Sequence, residues 1–197
     1  NLNSTYLKLL PNATKDGINE KGVFVCVNVV ANEGIINQGT NPTKEDLGIW
    51  YVTREILDHA ASAYEGVQIM LNRNIVGDFL NIENFHFMIA DATSTYIVEI
   101  INNQIVAQEK SGDEQIMTNF LCNADVINEH PSGIERYNIL KENYSMGSTF
   151  KGMQDLLYKA RFSQSFSLDM NPLWVSDAGL YSYSQIQSGE AASLYKE

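Results

Sequence analysis

From Val23 to Val30 the chain reads VFVCVNVV, five valines in eight residues, with Asn28 as the one strongly polar side chain. β-Branched side chains lose rotamer freedom in a helix and pack well on a pleated surface, so a run this short and this rich in valine predicts a buried strand. Asn28 must then find partners, because an unsatisfied buried amide costs about 1–3 kcal/mol. The segment before it, DGINEKG from Asp16 to Gly22, is turn-rich and leads the chain into the strand.

After the loop ANEGIINQGTNPTKED, Leu47, Trp50, Tyr51, Ile56 and Leu57 recur at near-helical spacing. This predicts a helix over Leu47 to Ala63 with Asp46 as its N-cap, and a shorter helix from Tyr64 to Leu71. From Phe85 the pattern changes. FHFMIAD, TYIVEI and QIVAQE are short β-type runs separated by DATS and INN, which is turn chemistry, and their spacing predicts an antiparallel meander. Gln115 to Asn119, QIMTN, reads as another strand end. Helical patterns occupy Glu135 to Tyr144 and Lys151 to Phe162, the second with Ser148 or Thr149 as cap. The closing PLWVSDAGLYSYSQI returns to β-type composition. Segregated blocks of strands and helices predict an α+β fold with an antiparallel sheet.

A chain of 197 residues with 44% apolar and 19% charged residues has the composition of a globular protein and the length for one domain, 1–197, with a sizeable core. Its formal charge of -11 repels nucleic-acid phosphates and anionic membrane surfaces, so neither partner is expected. No apolar run reaches the ~18 residues that suggest a membrane span. Asn1 to Leu10 have neither the basic start nor the apolar length of a signal peptide. The chain opens on asparagine, so a processed or trimmed product is expected; cytoplasmic location is favoured, with any targeting segment lying upstream.

The candidate chemical groups are few. Gly17 and Gly22 have phosphate-loop spacing, but Val23 and Phe24 stand where the lysine and the hydroxyl residue must be, so that motif is absent. His59, His86 and His130 share no metal-ligand spacing, and no Gly-x-Ser-x-Gly elbow accompanies them. Cys26 and Cys122 form no disulfide framework and no metal spacing, and the simplest reading is two small buried hydrophobes. Asn28 and Asn119, each within or at the end of a β run, are either structural amides or groups that help face a developing oxyanion.

Several segments, in order, resemble the choloylglycine hydrolase and penicillin V acylase family of linear amide hydrolases. DGINEKGVFVCVNV resembles the turn and strand that carry an oxyanion-hole asparagine in that family. Arg54-Glu-Ile-Leu-Asp58 looks like its Arg-x-x-Leu-Asp helix start, and HFMIADATSTYIVEI like its hairpin ending in Val-Glu. MTNF, Met117 to Phe120, is similar to the segment bearing the second oxyanion-hole asparagine, and GIERYNILKE to a Gly-x-Glu-Arg-Tyr helix.

The resemblance implies an N-terminal-nucleophile fold, an αββα sandwich of antiparallel sheets, here incomplete at its N-terminus. It implies that the Asn28 main-chain N–H and the Asn119 side-chain amide form the oxyanion hole, with Arg161 as the arginine near the nucleophile. It also implies a cysteine nucleophile at the start of the mature chain, which this sequence does not carry; Cys26 and Cys122 have no terminal amine and cannot replace it. The expected function is hydrolysis of a linear amide: a conjugated bile salt, a penicillin V-like side chain, an N-acyl amino acid or an N-acyl lactone. The alternatives are acyl transfer to an amine and a non-catalytic binding or structural relative. No metal or organic cofactor is implied. The expected partners are the small-molecule amide, the chain's own upstream N-terminal segment, and further copies of itself in a homo-oligomer.

Overall fold

The valine-rich run forms an inner strand of a five-stranded sheet in a computed structural model, which describes residues 14–30, 41–76, 84–101, 104–112, 114–123 and 131–160. The elements in chain order are β1 (Asp16–Ile18), β2 (Phe24–Val30), β3 (Glu45–Gly48), a 3-10 turn (Ile49–Tyr51), α1 (Val52–His59) and α2 (Ala63–Leu71). They continue with β4 (Arg73–Val76), β5 (Asn84–Ala90), β6 (Thr95–Ile101), β7 (Gln104–Glu109), α3 (Pro131–Glu142), a 3-10 segment (Tyr144–Ser148) and α4 (Phe150–Lys159). The chain divides into two compact units, Asn1–Asn128 and Glu129–Glu197.

In the first unit the strand order is β1-β2-β5-β6-β7, and every neighbouring pair is antiparallel. Alternation sorts the side chains onto two faces. Val23, Val25, Phe85, Phe87, Ile89, Val98 and Ile100 form one core with Val52 and Ile56 of α1 and Ala63, Val67 and Met70 of α2. The other face carries Cys26, Asn28, His86, Met88, Ile97 and Glu99 by the same register. A smaller parallel pair, β3 with β4, lies beside the helices. It is tied by Asn74, whose amide donates to the carbonyls of Asn41 and Lys44 and to Asp46 Oδ1 at 2.9–3.0 Å.

The DGINEKG segment is more than a turn. Its first three residues form β1, and Asn19 then joins the turn to the end of α1. Asn19 Oδ1 accepts from the N–H groups of Lys21 and Val23, both at 3.0 Å. Its Nδ2 donates to the carbonyls of Leu57 (3.1 Å) and Ala60 (2.7 Å), which a helix C-terminus leaves without intrahelical donors. Gly22 adopts φ +82°, the left-handed region that glycine enters without a Cβ penalty.

The helix expected over Leu47 to Ala63 is shorter. Leu47 belongs to β3, the helix begins at Val52 and ends at His59, and Asp46 accepts from the Asn74 amide instead of capping. The near-helical spacing of Leu47, Trp50 and Tyr51 arises from a strand followed by a tight turn, and tertiary pairing with β4 overrides it. The second helix stands, with Ser62 Oγ accepting from Glu65 N–H at 3.2 Å. Gln115–Asn119, expected to be a strand end, has no regular structure. The three-strand meander β5-β6-β7 forms as the spacing predicts. In the second unit α3 and α4 occupy the two predicted helical patterns, and Thr149 Oγ1 caps α4 by accepting from Gly152 N–H at 3.0 Å. Arg161, His130 and the closing β-type segment lie outside the described residues.

Close approach of α2 to the sheet depends on Gly66, where an added Cβ would meet Ile89 Cγ2 at 2.9 Å and Ile56 Cγ2 at 3.0 Å. Both contacts are branched side chains in the packed core, so neither can move aside freely. Gly66→Ala should destabilise the protein by about 1–3 kcal/mol through overpacking, measured as a lower denaturant midpoint with unchanged m-value.

Candidate functional site

Three strands bring one polar residue each into a row. Asn28 of β2 is the register partner of His86 on β5, and His86 is the register partner of Glu99 on β6. The two latter side chains are 0% exposed, an unusual burial for a histidine and a glutamate. The alignment follows from the hairpin. Ala90 pairs with Thr95 across a turn in which Asp91 Oδ1 accepts from the N–H groups of Thr93 and Ser94 at 2.7 and 2.9 Å, and counting back from it sets His86 opposite Glu99. Asp91 Oδ2 accepts from Ala63 N–H at the start of α2, 2.7 Å away. That bond above all, with the turn hydrogen bonds outweighing desolvation, holds the Asp91 carboxyl below the usual aspartate range.

The segment Met117 to Asn123 is tied to this row and to the β2 backbone. His86 Nε2 is 2.6 Å from the Thr118 carbonyl, and Asn28 Nδ2 donates more distantly to the same oxygen at 3.4 Å. Glu99 Oε1 accepts from Cys122 N–H at 2.6 Å and Oε2 from Asn123 N–H at 2.7 Å. His86 Nδ1 closes the group on Glu99 Oε1 at 3.0 Å. Asn119, 7% exposed, donates from Nδ2 to the Val29 carbonyl at 2.7 Å.

Donor and acceptor geometry constrains this cluster. Glu99 accepts two main-chain N–H groups and faces His86, an arrangement that fits a carboxylate. A carbonyl can only accept, so His86 Nε2 carries a proton toward Thr118, and a second proton lies in the contact between Nδ1 and Glu99 Oε1. Burial opposes ionisation of Glu99, but the His86 hydrogen bond, the Cys122 and Asn123 N–H groups and the His86 charge bring its pKa below the usual glutamate value. Cys122 brings its sulfur to within 4.8 Å of the His86 and Glu99 ligand atoms. Its thiol is pushed up to about 12 by burial and then by the Glu99 charge. A metal there would have to displace the hydrogen bonds of both partners, so the cluster is built as a buried, hydrogen-bonded histidine–glutamate pair. Cys26 is likewise raised to about 12, chiefly by burial, and neither thiol is poised as a thiolate nucleophile.

Of the residues singled out in the sequence, Asn28 and Asn119 are brought to neighbouring places on β2 across a separation of about 90 residues. Their main-chain geometry differs from the expectation. Val27 N–H donates to the Lys15 carbonyl at 3.1 Å, so odd-numbered N–H groups of β2 face β1 and that of Asn28 faces β5 and the ladder with His86. The main-chain groups on Asn119's side are those of Val29. Arg161 lies outside the described residues. His59 is exposed and lies 3.8 Å from Glu55 on the same helix. Arg54 and Asp58 form an exposed ion pair on α1, a type of contact that contributes little stability. His86 and Glu99 were missed as a pair. The signal lay in the hairpin: the histidine near the start of one β run and the glutamate near the end of the next become partners once the DATS turn sets the register.

No protein-family model and no curated protein sequence matches this chain. Its fold is similar to that of conjugated bile acid hydrolase from Clostridium perfringens. A cysteine-to-alanine variant of that enzyme aligns with a TM-score of 0.54 at 15% identity, covering 79% of this chain and 61% of the hydrolase. An arginine-to-leucine variant aligns with a TM-score of 0.56 at 15% identity, covering 81% and 63%. Penicillin V acylase from Agrobacterium tumefaciens aligns at 18% identity with a TM-score of 0.47, covering 89% of this chain and 51% of the acylase. The chain thus spans less than two thirds of the length of these proteins, and at such identities the likeness is one of fold. Among the described residues, no helix is long and apolar enough to cross a membrane.

The lowered Glu99 pKa makes a stability prediction with a definite sign. An unfolded glutamate takes up its proton near pH ~4.3, whereas the folded one resists until lower pH. The unfolded state therefore binds more protons in that window, so the contribution is present above about pH 5 and is lost as pH falls through the folded pKa. Glu99→Gln should flatten the fall in unfolding free energy below about pH 5 by up to about one proton, read from urea titrations at several pH values.

Proposed function

We propose that the chain is the middle and C-terminal part of an amidohydrolase that cleaves linear amides through a cysteine nucleophile lying outside these 197 residues. The observation that carries this reading is the placing of the Asn119 amide against the Val29 main chain, at the edge of β2. The amide donates to the Val29 carbonyl, and that amide paired with a main-chain N–H of β2 is the donor arrangement we assign to a tetrahedral oxyanion, in a fold similar to that of a bile acid hydrolase.

In this reading the thiolate adds to the substrate carbonyl carbon, and the carbonyl oxygen becomes an oxyanion. Asn119 Nδ2 and the Val29 N–H donate to that oxygen, and Asn28 supports the loop through the Thr118 carbonyl. The amine leaves with a proton from the nucleophile's ammonium group, forming a thioester. Water then adds with proton transfer to the amine, and the carboxylic acid is released. The nucleophile's own α-amine, titrating near pH ~7.7–8.0, is the base in both halves. Arg161 is assigned beside the nucleophile, and the described sheet is assigned to one half of an αββα sandwich, its Asn28–His86–Glu99 face packing on a second antiparallel sheet. The substrate class is an N-acyl amino acid, a conjugated bile salt, a penicillin V-like amide or an N-acyl lactone. The two thiols inside the chain, both held protonated by burial, favour a nucleophile elsewhere.

The test is steady-state hydrolysis of penicillin V and of a glycine-conjugated bile salt by the full-length protein. Asn119→Ala should lower kcat by about 10²–10³ with little change in KM, because its bond strengthens as negative charge develops. An unchanged kcat for Asn119→Ala would remove the oxyanion assignment. Residues 1–197 expressed alone should give no turnover, and turnover by that piece would place the nucleophile inside it.

A further inference from the structure

The buried pair His86 and Glu99 takes no part in the chemistry proposed above, yet three of its four hydrogen bonds end on the main chain of one short segment. Thr118 accepts from His86, and the N–H groups of Cys122 and Asn123 donate to Glu99; the fourth bond joins the pair itself. Resting on the oxyanion reading, we propose that the His86–Glu99 pair positions the Thr118–Asn119 peptide and so aims the Asn119 amide at the reacting carbonyl.

The physical case starts from cost. Taking a glutamate and a histidine wholly out of water is expensive, and apolar side chains of similar volume often stabilise such a site as well or better. Adding stability is therefore a weak account of the pair. Directional hydrogen bonds are what apolar residues could not supply. A trans peptide is planar, so fixing the Thr118 carbonyl on His86 Nε2 also fixes the directions of the Asn119 N–H and Cα. The side-chain amide is then set by the Asn119 φ, by two side-chain torsions and by its own bond to Val29. Glu99 closes the other end by holding the Cys122 and Asn123 N–H groups, so the residues between the ties have little room to move. Asn28, a more distant donor to Thr118 at 3.4 Å, backs the same carbonyl. His86 and Glu99 are thus positioning residues acting through Asn119, and a displacement on the order of 1 Å at such a donor is enough to cost about 10²-fold in rate.

A double-mutant cycle in the full-length protein, with penicillin V as substrate, separates positioning from general support of the fold. Glu99→Gln should lower kcat by at least ~10-fold with KM within about twofold, and Glu99→Gln added to Asn119→Ala should cost less than about twofold more. Multiplying effects, or Glu99→Gln leaving kcat within about twofold, would overturn the positioning role while leaving a damaging Asn119→Ala result, and the oxyanion reading, intact. An inert Asn119→Ala takes both down together. Should Glu99→Gln fail to fold, nitrogen-15 NMR of the unsubstituted protein decides: His86 Nε2 should carry an exchange-protected proton bonded to the Thr118 carbonyl. An unprotonated or rapidly exchanging Nε2 overturns the proposal.

Discussion

A glutamate carboxylate without solvent contact lies on the sheet face turned away from α1 and α2, and the order around the candidate site depends on how it is satisfied. An ion in a low-dielectric interior is tolerated only when its lone pairs are met, and Glu99 meets them with an imidazole and two main-chain N–H groups. Those partners come from β5 and from the segment that follows β7. Satisfying one charge therefore docks an irregular stretch of chain onto the sheet. Met117 and Leu121, both nearly buried, add apolar contact to that docking. The segment can lack regular secondary structure and still be well placed, because its backbone groups are bonded to side chains.

The opposite face of the sheet supplies the rigidity this requires. Val23 and Val25, with Phe87 and Ile89 of β5, bury completely in one core with Ile56, Ala63 and Met70, and the half-buried Val27 and Val29 pack against it. Gly66 lets α2 come close, Asn19 satisfies the end of α1, and Asp91 joins the β5-β6 turn to the start of α2. The hairpin turn that sets the His86–Glu99 register is thus itself pinned to a helix. Register matters more here than in a strand polar on one face, since a slip of one residue would turn His86 and Glu99 into the apolar core.

Burial also sorts the chemistry of the sulfur groups. Cys122 stands beside a histidine and a glutamate, a combination that elsewhere activates thiols, yet both imidazole nitrogens face acceptors and the adjacent carboxylate disfavours a thiolate. The same residue types would serve acyl transfer in an open cleft with a free imidazole nitrogen. Here they serve positioning.

Much of this was legible in the amino-acid sequence because it is local. The valine run, the meander from Asn84 to Glu109 and the paired helical patterns from residue 131 onward follow from side-chain periodicity and turn residues, which act over a few positions. The need for partners at Asn28 was likewise plain from one polar residue in an apolar run. The pairing of β3 with β4 was not, since Leu47 continues a near-helical spacing and only the contact with Ile75 makes it a strand. Nor could periodicity reveal that Asn119 bonds Val29, that the Asn28 N–H faces β5, or that His86 and Glu99 form one buried pair reaching the Thr118 carbonyl. Those facts join residues separated by up to about 90 positions, and they come from strand register and charge satisfaction, which exist only once the sheet has assembled.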